Sequence, residues 1–174
     1  ATLLLGDTAA AETAVNRALE LLRARTPAVP AAERSLRELQ VQVLLQRGDV
    51  AGAMKLLDAP ALQPASRWTL LLRGQAALAL WNQRPEQAAA CMAAAAPRPG
   101  PSAPGCDEPR SGYKALQSSN EAALSWVSLH PNDPLMWSLL AQGEEAMGQR
   151  LRAMRAQAES RAALGDINGA VDRL

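Results

Sequence analysis

Apolar residues recur along this chain at helical intervals of three and four, and short polar or proline-bearing corners interrupt them. A first amphipathic helix is predicted roughly from Thr8 to Arg25, ending before Thr26-Pro27. A second covers Pro30 to Arg47 and sets Leu36, Leu39, Val43 and Leu44 on one face. A third, Val50 to Asp58, is short and is closed off by Pro60 and Pro64. A fourth, Ala65 to Asn82, carries Trp68, Leu71, Leu72, Leu78 and Trp81. A fifth starts at Pro85, a favourable first helical position, and reaches Ala96. Residues 97–112 hold five prolines and three glycines and read as a loop. A sixth helix is predicted from Tyr113 to Leu129, a seventh from Pro134 to Met147 and an eighth from Arg150 to Leu164, with a last fragment from Ile167. Between the sixth and seventh, Asp133 is placed to cap and Pro134 to occupy the first turn. Val, Ile and Thr nowhere alternate in a run, so no sheet is expected.

The corners share a spelling. Gly6-Asp7 is followed by Ala11, Gly48-Asp49 by Ala53, Gly148-Gln149 by Ala153 and Gly165-Asp166 by Ala170. The Gly supplies a left-handed C-cap, the Asp can N-cap the next helix, and the Ala lets two helices approach closely. This punctuation resembles the turn inside a tetratricopeptide (TPR) repeat, a unit of about 34 residues. Trp137, Leu140, Ala141, Gly148 and Ala153 fall at its characteristic offsets, with Glu144 in place of the usual aromatic. The spacing is irregular: Gln83 to Pro131 spans 48 residues where a regular unit needs about 17, and the 97–112 loop with part of a flanking helix is the natural insertion. The expected fold is all-α: antiparallel helix pairs stacked into a right-handed TPR-like superhelix. A single degenerate TPR domain of about four pairs is expected over residues 1–174.

Composition narrows the function. Of the 174 residues 48% are hydrophobic, yet Phe is absent and Tyr occurs once, so Ala and Leu supply the apolar mass. The net charge of +1, with acids and bases interspersed, offers no nucleic-acid footprint. No apolar run approaches the ~18 residues of a membrane span. Ala1 to Leu5 is too short for a signal peptide, and the start without Met points to a piece of a longer parent.

The stretches Trp126 to Trp137 (WVSLHPNDPLMW), Leu139 to Gly148 (LLAQGEEAMG) and Leu151 to Leu174 resemble the C-terminal TPR region of bacterial periplasmic zinc metallopeptidases of the BepA type. That resemblance implies a periplasmic, non-catalytic region that docks on, or recruits substrates to, a catalytic domain elsewhere in the parent. The family's HExxH motif matches no position here, so no catalytic residue carries over, and zinc is expected solely in the parent's catalytic domain. A stand-alone TPR adaptor or scaffold of the bacterial cell envelope is the alternative.

No catalytic, cofactor-binding or metal-binding residue is expected in this fragment. His130 is the single histidine and, with two Cys in unrelated segments, makes no zinc ligand pattern. Cys91 and Cys106 form either a disulfide pinning the proline-rich loop or two free thiols. The expected partner is a protein or peptide, the parent's own peptidase domain included. Helix positions that usually face a TPR groove fall at Glu38 and Gln42, at Arg73 and Trp81, and at Ser138, Gln142 and Glu145. Trp81 is the best aromatic anchor among them. The arginines at 150, 152, 155 and 161 make the eighth helix basic, which suits a solvated face or an anion-tipped partner.

Overall fold

A computed structural model describes residues 7–24, 30–83 and 107–173. All regular structure among them is helical. The α-helices are α1 (Thr8–Arg23), α2 (Pro30–Gln46), α3 (Val50–Leu57), α4 (Arg67–Asn82), α5 (Asp107–Leu129), α6 (Pro134–Ala146), α7 (Arg150–Ala163) and α8 (Ile167–Val171), with a 3₁₀ turn at Pro60–Leu62. The helix expected from Pro85 to Ala96 lies outside the described residues, as do Cys91 and Cys106.

One boundary moves. The loop expected over 97–112 gives way to helix at Asp107, six residues before the expected start at Tyr113. Pro109 does not prevent this, because a first-turn residue has no intrahelical partner for its N–H and loses nothing by lacking one. Gly112 is buried, and a side chain there would already be in van der Waals contact with Leu80 and the backbone of Trp81.

The chain divides into two compact units, one up to Ala76 and one from Ala77 onward. In the first unit, α1 turns Ala11, Val15 and Leu19 inward at steps of four. Asn16 accepts from Gln40, and Glu12 pairs with Arg47, so α1 and α2 run antiparallel. α2 also packs on α3 and on the 3₁₀ turn, and so needs two apolar faces. That explains why its fully buried residues are Val41 and Val43, while Leu39, expected on the core face, is 38% exposed. Val41, Ala53, Leu57, Leu62, Leu72 and Ala76 form one closed cluster. Polar ties lock the entry to α4. Glu38 accepts from the hydroxyls of Ser66 and the fully buried Thr69, at 2.8 and 2.9 Å. Arg34 donates to the carbonyls of Gln63 and Pro64.

The glycine corners repeat one geometry. Gly48, Gly148 and Gly165 have φ of 78°, 75° and 83°, a region that L side chains avoid. At each, the glycine N–H bonds back three residues and the next N–H bonds back five: Gly48 to Leu45 and Asp49 to Leu44, Gly148 to Glu145 and Gln149 to Glu144, Gly165 to Ala162 and Asp166 to Arg161. This is the Schellman pairing, which satisfies the last carbonyls of the outgoing helix. Asp49 and Asp166 then serve twice, since their carboxylates accept from Gly52 N–H and Gly169 N–H and cap the incoming helix. Asp7 caps α1 in the same way through Ala10 N–H. The alanine that follows each corner is buried: Ala53, Ala153 and Ala170, as is Ala11 after Asp7. Gly6 lies outside the described residues.

Gln149 is the exception, with no side-chain cap on α7. Gln149→Asp supplies the missing carboxylate at a corner already folded like its two siblings. It should stabilise the protein by about 1 kcal/mol and raise Tm by about 2–4 °C. An unchanged melting curve would show that corner geometry does not suffice for the cap.

Asp166 carries the electrostatic mark of its corner. The Gly169 N–H, and after it the Arg161 guanidinium 3.0 Å away, hold its carboxyl below the usual aspartate range. A depressed folded-state value contributes stability that is present above the unfolded value and is lost as pH falls through the folded one. Loosening of α8 is therefore expected in acid, below about pH 4. The Gly169 amide resonance should report it, and a titration at the ordinary aspartate value would contradict it.

Candidate functional site

The second unit builds its surface from three successive helices. α6 packs against both α5 and α7. Ser160 near the end of α7 donates to the Pro134 carbonyl at the start of α6, so these two run antiparallel. Two indoles fix the link between α5 and α6. Trp126 Nε1 donates to Asp133 Oδ2 at 3.0 Å, and Trp137 Nε1 donates to the Pro131 carbonyl at 2.8 Å. Asp133 also caps α6 through Met136 N–H. His130 lies exposed at the end of α5 with its ring stacked on Trp126, centroids 4.1 Å apart. Both tryptophans thus serve the link.

At Gly143 the side chain of Asn120 from α5 lies directly against α6. A methyl group there would sit 2.7 Å from Asn120 Cγ and still nearer its amide oxygen. Gly143 is therefore the space into which the Asn120 side chain fits.

With α5 and α7 standing on either side of it, α6 forms the floor of a trough. Leu140 and Glu144 contribute from α6, Leu124 and Val127 from α5, and Arg152 and Ala156 from α7. Its volume is about 530 Å³. A smaller recess of about 180 Å³ shares Leu124, Glu144 and Arg152 and extends it toward Tyr113, Asn120 and Gln149. The walls mix these apolar side chains with Glu144, Arg152, Arg155 and Glu159, and Leu124 is 52% exposed. Arg155 of α7 is drawn to Glu159, 3.9 Å away. Beneath this surface lie two buried polar atoms without a hydrogen-bond partner, Glu144 Oε2 and Asn120 Nδ2. A buried polar atom left without a partner costs about 1–3 kcal/mol.

The residues singled out from groove positions fall in different places. Glu38 is occupied by Ser66 and Thr69. Arg73 donates to the Leu57 carbonyl and pairs with Asp58 at 2.9 Å, closing the end of α3. Gln42 is half-buried on α2. Trp81 is half-buried and tilted against Tyr113, ring centroids 6.1 Å apart. On α6, Gln142 folds back onto Ser138, and Glu145 is exposed. Ser138 borders a separate polar recess with Gln157, Ser160, Arg161 and Arg173. The trough instead uses Trp137, Leu140 and Glu144, a different face of the same helix. Glu144 carried a signal in the sequence, since it replaces an aromatic in the tetratricopeptide pattern that this stretch resembles. Asn120 carried none, because its role depends on Gly143 of the next helix.

Among the described residues no group of three or more His, Cys, Asp or Glu is arranged to hold a metal, and no helix is long and apolar enough to cross a membrane. No family model, curated protein or solved structure matches the chain.

Proposed function

We propose that this chain is a non-catalytic helical-repeat module of the TPR type that binds a segment of a partner protein in the trough across α5, α6 and α7. The trough carries the reading. It is open, sets Leu124, Val127, Leu140 and Ala156 among charged neighbours, and is large enough for several side chains. Three corners of one geometry, each followed by a buried alanine, support TPR-type stacking of helix pairs into a right-handed superhelix. Binding buries Leu124, and no bond is made or broken by this chain. The likeness of the last third to the BepA type makes a periplasmic zinc metallopeptidase the proposed carrier. There the module docks on the peptidase domain or recruits its substrates, and zinc belongs to that domain. A stand-alone envelope adaptor would use the same trough.

Titration of the full chain with a library of blocked nonapeptides, read by the change in tryptophan fluorescence to which Trp137 in the trough lining contributes, tests the reading. Saturable binding is expected. Leu124→Glu, a change at an exposed position, should weaken it at least tenfold, about 1.4 kcal/mol. Gln142→Lys on the other face of α6 should leave it unchanged. Absence of any saturable binder, or hydrolysis of the peptides by the chain itself, would overturn the proposal.

A further inference from the structure

The trough is unfinished in a specific way. It offers one buried acceptor without a donor, Glu144 Oε2, and one buried donor without an acceptor, Asn120 Nδ2. Both residues border the recess that continues the trough. Gly143, the residue before Glu144, has no side chain to push the Asn120 amide away from α6. One missing donor and one missing acceptor are the complement of a single peptide unit, which brings one N–H and one C=O.

Resting on the reading of the trough as a segment-binding site, we propose that it holds an extended, uncharged, apolar segment of a partner protein by its main chain. A segment N–H donates to Glu144 Oε2, and a segment carbonyl accepts from Asn120 Nδ2. Both atoms are buried in this structure, and because the terminal torsions of Glu and Asn are soft, binding turns them toward the recess their side chains border. Leu124, Val127, Leu140 and Ala156 then receive the apolar side chains. The surroundings disfavour charged alternatives. Arg152 and Arg155 oppose a cationic side chain, whereas Glu121, Glu144 and Glu159 oppose an anionic one. A neutral amide faces neither penalty and relieves both orphans together.

The test uses the full chain and blocked nonapeptides of Ala, Leu, Val and Ser, with matched peptides bearing a central Lys, Arg or Asp. The tightest binder should be uncharged. Methylating its backbone nitrogens one at a time should reveal one position that costs at least tenfold in Kd, with the protein itself unaltered. On saturation the Asn120 side-chain NH₂ resonances should move downfield. Glu144→Gln, which keeps an acceptor, should bind like the parent, and Glu144→Leu should lose at least tenfold. Equal losses in both variants, or a tightest binder that needs its Lys or Arg, would mean charge recognition and overturn the proposal. So would an Asn120 resonance already shifted in the free protein and abolished by Glu144→Leu, since the two side chains would then satisfy each other. Binding mapped to Ser138, Gln142 and Glu145 defeats this inference but leaves the interaction module standing. No binding of any peptide defeats both.

Discussion

Gly143→Ala should destabilise the protein by about 2 kcal/mol, although Gly→Ala inside a helix ordinarily gains about 1 kcal/mol. The added methyl overlaps the amide of the buried Asn120, which must turn away from α6 toward the adjoining recess and repack there. Overpacking of this kind costs about 1–3 kcal/mol. Moving the amide also disturbs a polar group already short of a partner, adding about 1–3 kcal/mol at such sites. These losses exceed the gain in helix propensity. Asn120→Ala, by contrast, removes the obstacle and the orphan donor together. The double variant should therefore be nearly as stable as the parent, with an interaction energy above about 1 kcal/mol. Denaturant unfolding of the four proteins measures it. Additive losses would mean that Gly143 matters for some reason other than Asn120.

Leu57→Ala should cost about 3 kcal/mol, a large share of the ~5–15 kcal/mol that holds a domain together. Leu57 is the last residue of α3 and is fully buried among Val41, Ala53, Leu62 and Leu72. Helices and a 3₁₀ turn converge there from several directions, so neighbours cannot collapse into the void without breaking their own corners. Leu57→Met, which keeps the volume, should cost less than about 1.5 kcal/mol. Leu39→Ala is the informative control. The apolar pattern alone assigns Leu39 to the core face, but it is 38% exposed and should cost under about 1 kcal/mol. Comparable losses at Leu39 and Leu57 would mean that the core of the first unit is misplaced.

The helices and most of their boundaries were legible because they are written locally. Amphipathic spacing, Pro30 and Pro134 at first positions, and the Gly-Asp corners each act within a few residues, through backbone sterics and capping. The start of α5 at Asp107 was not legible from the count of prolines and glycines. A proline in a first turn is harmless, and composition does not distinguish that turn from a loop.

What the sequence determined by itself is the all-helical class and the identity of the corners, since positive φ at Gly48, Gly148 and Gly165 and the caps at Asp49 and Asp166 depend on near neighbours alone. What only the tertiary structure decided is which side chains are spent and which are left over. Glu38 and Arg73 look free in sequence, yet Thr69 and Asp58 claim them from other segments. Asn120 looks ordinary and Glu144 merely out of pattern, yet packing buries one polar atom of each without a partner. Partnership of this kind depends on distances across the fold, and those are set by packing, which no local pattern records.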